Sequence, residues 1–226
     1  MGGKDQTERI EWRDGTVPVS TLFDDPYFSL AGGLAETRHV FLDGNDLPHR
    51  LGDGFSVAEL GFGTGLNLLA LALAWQAAGK PGTLRFTSFE AHPMAAADMA
   101  RAHAAFPETG SVAAELQHYW QNGLRQFTLA GIEVDVITGD ARDRLPAWTG
   151  RADAWFLDGF SPARNPELWG AGLLRDVAEH TAPGGTFATY TAAGFVRRGL
   201  QAAGFQVERL PGFGSKRHMT RGLLKA

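Results

Sequence analysis

Beyond residue 54 the chain switches regularly between two hydrophobic rhythms. Short runs rich in β-branched, aromatic and aliphatic residues predict strands over 55–60, 84–90, 133–138, 152–158 and 186–191. Between them, apolar positions at three- and four-residue spacing predict helices over 65–78, 93–105, 142–148, 166–180 and 193–203. A last pair of runs, 206–210 and 219–224, predicts a hairpin around Pro211-Gly212-Phe213-Gly214. Strand and helix in alternation build a mostly parallel, doubly wound sheet with helices on both faces, so the expected class is α/β. The stretch 107–132 breaks the rhythm and is expected to add one or two helices. Residues 1–54 carry turn formers, such as Asp24-Asp25-Pro26 and Gly52-Asp53-Gly54, in place of a long period. They are expected to form an N-terminal extension packing on a core domain over 55–226.

The first strand of that core runs through Glu59-Leu60 into Gly61-Phe62-Gly63-Thr64-Gly65 and an apolar helix that opens Leu66-Asn67. A strand-to-helix reversal crossed closely by a ligand requires backbone without Cβ, and the helix start presents free N–H groups. In a dinucleotide fingerprint the third glycine falls three positions after the second. Here that position is Leu66, and the glycine comes early, at Gly65. Glu59 adds a carboxylate before the turn, which repels a pyrophosphate and suits the ammonium and sulfonium of S-adenosylmethionine (SAM). NAD and FAD are therefore disfavoured, and no Gly-Lys-Ser/Thr follows to make a Walker P-loop. The expected architecture is a Rossmann-like, SAM-dependent methyltransferase fold.

Three further acids close three further strands. Glu90 ends the second, where a carboxylate accepts bonds from ribose hydroxyls; Asp140 follows the third, placed for an adenine amino group. Asp158 ends the fourth and leads into Gly159-Phe160-Ser161-Pro162-Ala163-Arg164-Asn165-Pro166. Carboxyl ends of parallel strands are where such sheets bind ligands, so Asp158 stands at the cleft mouth. In methyl transfer to nitrogen, a carboxylate there orients the nucleophile and accepts its proton. Arg164 and Asn165 are candidates for substrate phosphate or base.

Composition narrows this picture. There are no cysteines, which excludes disulfides and thiolate chemistry, and the seven histidines show no metal-ligand spacing, so no metal is expected. No apolar run reaches the roughly 18–20 residues a bilayer requires, and residues 1–6 hold no signal-like apolar stretch. A cytoplasmic protein without a membrane partner is expected. The net charge of −4 hides an asymmetry: residues 191–226 carry seven Lys/Arg and one acid, +6 against −10 for the rest. A local basic patch attracts phosphates whatever the overall balance.

The loop Phe156-Leu157-Asp158-Gly159-Phe160-Ser161-Pro162-Ala163-Arg164-Asn165-Pro166-Glu167-Leu168-Trp169 closely resembles the signature of the MnmC/MnmD family of tRNA 5-aminomethyl-2-thiouridine methyltransferases. Three other blocks agree: Tyr27-Phe28 with residues 33–41 and Gly44-Asn45; residues 59–67; and residues 191–200 with Gly212-Phe213-Gly214-Ser215-Lys216-Arg217. The resemblance implies methyl transfer from SAM to the amine of 5-aminomethyl(-2-thio)uridine at the tRNA wobble position. By motif match it implies Glu59, Gly61, Phe62, Gly63, Gly65, Asn67, Glu90, Asp140, Asp158 and Phe160 as cofactor residues. It turns Asp158 to the amine and sets Phe160 in the same pocket. Tyr27, Glu36 and Asn45 become substrate candidates from the extension, while Arg164, Arg197, Arg198, Lys216 and Arg217 become contacts for the anticodon arm. Many members carry a C-terminal FAD-dependent oxidase; no FAD fingerprint is present in these 226 residues, so that activity is expected of a covalent or separate partner. A methyltransferase acting on another amine and a non-catalytic RNA-binding module remain the alternatives.

Overall fold

A computed structural model describes residues 9–29, 32–79 and 82–225. The extension opens with a small antiparallel sheet, β1 (Ile10–Arg13), β2 (Val17–Ser20) and β3 (Asp25–Pro26), in that order. A short helix, α1 (Gly33–Thr37), then runs through a π-helical turn (Arg38–Leu42) into a 3-10 turn (Asp43–Asn45).

The core strand β4 (Ser56–Leu60) is buried at every position, as a central strand covered on both faces must be. It leads through the glycine turn to α2 (Leu66–Ala77), which is apolar nearly all round because it packs against α1 as well as the sheet. Then come β5 (Leu84–Glu90), α3 (Ala96–His103), α4 (Gly110–Gln121), β6 (Gln126–Leu129), β7 (Ile132–Thr138), α5 (Ala141–Arg144) and β8 (Ala152–Leu157). The chain closes with α6 (Ala171–Glu179), β9 (Thr181–Thr189), α7 (Gly194–Ala202), β10 (Phe205–Pro211) and β11 (His218–Leu224). The sheet order is β10-β11-β9-β8-β4-β5-β7-β6, parallel from β9 through β7 and antiparallel at both edges. The chain builds outward from β4 through β5 to β7, then returns to β8 on β4's other side. That reversal puts the switch point of the sheet between β4 and β8, and ligands bind such sheets outside the strand ends there.

Two expectations needed correction, and one stretch held an unforeseen strand. The expected helix within 107–132 is α4; the stretch also holds β6, paired antiparallel with β7 through Ala130 and Gly131, both with positive φ (50° and 86°). Such a pair of left-handed residues makes the tight hairpin turn whose twist matches its strands. The helix expected over 166–180 breaks at the extended Gly170 into a 3-10 turn, Pro166–Trp169, and α6. The one expected over 142–148 stops at Arg144, where Pro146 tightens the chain into a 3-10 turn.

The extension shares the main core. Leu34, Val40, Phe41, Leu42 and Leu47 belong to the same hydrophobic cluster as Val57, Phe86 and Phe156 of the central strands. Asn45 locks the join: its amide donates to Phe41 O at 3.0 Å and Trp155 O at 3.2 Å, and accepts from Thr186 Oγ1 at 2.7 Å. Arg50 adds a bond to Asp153 O at 2.9 Å.

Candidate functional site

Two sharp turns meet at the switch point. The first is the glycine turn, where Gly61, Gly63 and Gly65 take φ of 84°, 53° and 73°, a region costly for residues with a Cβ. The second follows β8 at Asp158-Gly159, and the two touch backbone to backbone. A Cβ on Gly61 would lie 3.1 Å from Gly159 Cα. A cavity of about 640 Å³ opens over them, lined by Gly61, Phe62, Gly63 and Asn67 from the first turn and Asp158, Gly159 and Phe160 from the second. Glu90, Asp140, Tyr27, Glu36, Tyr190 and Lys216 complete much of its wall.

Each acid is held differently. Glu90 accepts from the amides of Gly63 at 2.8 Å and His92 at 2.7 Å, which ties the end of β5 to the glycine turn. Asp140 caps α5, accepting from Arg142 N at 2.9 Å, and pairs with the Arg142 guanidinium at 2.6 Å. Those hydrogen bonds hold its carboxyl below the usual range. Asp158 accepts from Asn67 Nδ2 at 2.7 Å and from Gly159 N at 2.8 Å. Burial outweighs both bonds and pushes its carboxyl up to about 6.

Glu59 needs a correction. It is fully buried and lies beneath the cavity wall, with no exposure of its own. Ser88 Oγ donates to it at 2.6 Å and Asn67 Nδ2 at 2.7 Å. Burial dominates here too, raising the group to about 8, so it holds a proton at neutral pH. Its link to the cavity runs through Asn67, whose two amide hydrogens serve Glu59 and Asp158 and whose Oδ1 accepts from Thr37 Oγ1 at 3.0 Å.

A cavity of this size, a bare glycine turn, a carboxylate ending the second strand and a capping aspartate after the third fit a nucleoside cofactor with a cationic tail. Comparison with known proteins agrees. Residues 107–225, just over half of the chain, match the model of a family described as S-adenosyl-L-methionine-dependent methyltransferase. The chain belongs to that family. The methyltransferase is 49% identical over 219 residues to a Caulobacter sp. (strain K31) protein named tRNA 5-methylaminomethyl-2-thiouridine biosynthesis bifunctional protein MnmC. The match covers 91% of this chain and 36% of that protein. A protein of the same name from Stutzerimonas stutzeri is 43% identical, over 98% of this chain and 35% of its own length. The chain thus spans about a third of the curated relatives it matches. Among solved structures, MNMC2 from Aquifex aeolicus superposes with a TM-score of 0.78 at 27% identity, covering 99% of this chain and 72% of that one.

In the methyltransferase, most of the residues singled out in sequence converge on this cavity, but not all. Gly65 lies outside the cavity lining, capping α2. Asn45 is 1% exposed and bonded into the join described above, away from the cavity, so it is a structural tether and not a substrate contact. Of the expected phosphate contacts, Arg164 pairs with Asp24 at 2.9 Å and Lys216 with Glu36 at 2.7 Å. Arg197 is partly buried with its Nε enclosed. Arg198 and Arg217 are exposed, and among the described residues no acid lies within ion-pair reach of either. No helix among them is long and apolar enough to cross a membrane.

Sequence reasoning overlooked a clasp on the cavity's rim. Asp25 Oδ2 accepts from Ser161 N at 2.7 Å, and Phe23 stacks on Phe160 with centroids 4.6 Å apart. Tyr27 meets the same ring edge-on at 5.1 Å. Asp25 stood in the sequence as one acid of a turn, and nothing in its spacing ties it to a loop 136 residues away. Tyr190 was overlooked as well; its position just past β9, at a carboxyl strand end, was the available signal.

Proposed function

We propose that this methyltransferase methylates the amine of 5-aminomethyl(-2-thio)uridine at the tRNA wobble position, giving the 5-methylaminomethyl nucleoside. The observation that carries the reading is Asp158, a carboxylate raised to about 6 at the switch point, among aromatic rings and beside the glycine turn. The relatives' names point to the same nucleoside.

Glu90, Asp140 and the turn at Gly61 and Gly63 hold the cofactor, Phe62 and Asn67 flank it, and Glu59 supports the turn from beneath. SAM, when bound, supplies an electrophilic methyl on a cationic sulfur. The acceptor arrives as an alkylammonium, since such amines have pKa values near 10.4, and it must lose a proton before its lone pair can attack. Asp158 binds the ammonium and takes part in that deprotonation, while Phe160 and Tyr27 receive the splayed base. Arg198 and Arg217 meet phosphates of the anticodon arm.

Incubation with SAM and tRNA carrying unmethylated 5-aminomethyl groups, followed by nucleoside mass spectrometry, tests this. A nucleoside heavier by one methyl is expected. Unchanged nucleosides alongside demonstrated SAM binding would overturn the acceptor assignment.

A further inference from the structure

Lys216 does not point away from the cavity as a free phosphate contact would. Its Nζ lies 2.7 Å from Glu36 Oε1 and 4.4 Å from the centroid of the Tyr190 ring. Tyr190 is fixed there by its hydroxyl, which donates to Gly159 O at 2.9 Å, the residue after Asp158. The ring is ringed by acids: burial first, then the charges of Asp158, Asp25 and Glu36, push its phenol well above the ordinary value. Asp158 in turn feels Lys216's positive charge.

An aromatic face with carboxylates around it is a receptor for an alkylammonium. The group filling it is itself a primary alkylammonium, the same class as a protonated aminomethyl substituent. We propose that Glu36 and the Tyr190 ring form the seat of the acceptor's ammonium beside Asp158, and that Lys216 occupies this seat as an internal stand-in until the substrate displaces it. The inference rests on the amine acceptor proposed above.

The exchange is chemically easy. The Lys216 side chain is 43% exposed, sits on the turn between β10 and β11, and has a flexible four-carbon stem. Glu36, at 11% exposed, stays buried and needs a cation, while the half-exposed Lys216 is the partner free to leave. One ammonium replaces another, so the acids are never left uncompensated. The displaced Lys216 swings outward next to Arg217, where an RNA backbone can take it up. Arrival of the phosphate chain and seating of the amine thereby become one coupled event.

Calorimetry on the full chain with S-adenosylhomocysteine present provides the test, using two probes: n-propylammonium, which explores the seat alone, and the free nucleoside 5-aminomethyluridine. Lys216→Met removes the stand-in and keeps the stem, so both probes should bind roughly 3- to 10-fold more tightly than to the parent. Glu36→Gln should weaken both by a similar factor. Affinity of Lys216→Met for whole tRNA should fall, with a smaller salt dependence, because the released cation is missing. Probe affinity that is unchanged or reduced in Lys216→Met overturns the stand-in role, and unchanged affinity in Glu36→Gln overturns the seat. If propylammonium follows the expected pattern while the nucleoside fails to bind, the seat stands and the wobble-nucleoside reading falls.

Discussion

Glu59 offers the sharpest quantitative test of the site's electrostatics. In the folded protein its carboxyl stands at about 8, against 4.5 for an unstrained glutamate, because it is wholly buried and receives only two hydrogen bonds. Between those values the folded state keeps the proton and the unfolded chain loses it. Folded-state stability from this group is therefore complete below pH 4.5 and declines as pH rises, levelling off above 8. At 1.36 kcal/mol per pH unit, the full span from 4.5 to about 8 is worth roughly 5 kcal/mol. Glutamine has the shape of the protonated acid, can accept from Asn67 and donate to Ser88, and cannot ionise. Glu59→Gln should accordingly gain stability relative to the parent as pH rises, by roughly 4 kcal/mol between pH 5 and pH 8. Urea unfolding of both proteins at several pH values measures the difference directly, and titrations common to both largely cancel. Parallel stability curves would show Glu59 ionised in the fold and refute the reasoning.

Asp158→Ala should retain SAM binding by calorimetry while turnover drops roughly 10²- to 10⁴-fold; unchanged turnover removes Asp158 from the chemistry. In the parent, kcat/KM should fall below about pH 6, where Asp158 takes up a proton and can no longer hold the ammonium. Asn67→Ala strips a donor from Asp158, so that limb should shift to higher pH in the rate profile, with a stability loss of about 1–3 kcal/mol in urea. Asn45→Ala should cost a similar amount of stability and leave the shape of the pH–rate profile intact, as befits a tether remote from the cavity. Gly61→Ala forces a Cβ to 3.1 Å from Gly159 at a φ of 84°, and both melting temperature and SAM affinity should drop.

What sequence could show was set by the range of each interaction. The glycine turn, Glu90, Asp140 and Asp158 lie at strand ends, and a strand end is a local event that alternation along the chain reveals. Their convergence follows from one topological rule and needs no side-chain detail. Glu59 was placed correctly on its strand, but its layer was not: whether a carboxyl lies in a wall or beneath it depends on Asn67, eight residues on, folding across it. Asn45 failed for a related reason, since its partners Trp155 and Thr186 sit more than a hundred residues away. The strand β6 was hidden by a helix-like neighbourhood, although Ala130-Gly131 held its turn in plain view. The basic residues showed their charge and concealed their pairing, because Lys216 in the tail and Arg164 in the loop after β8 find their acids in the extension.

The contacts that Phe23 and Asp25 make with Phe160 and Ser161 have a consequence for how the molecule assembles. They join segments 136 residues apart, so the rim of the cavity is complete only when the extension has met the loop after β8. Phe23, Asp25, Phe160 and Ser161 all line the cavity, so a ligand held there stabilises the clasp by mass action. Hydrogen exchange at the Ser161 amide, whose partner is Asp25, should slow on cofactor addition more than exchange in the central strands. The segment would serve as a gauge of occupancy, reporting from the surface on what is held inside.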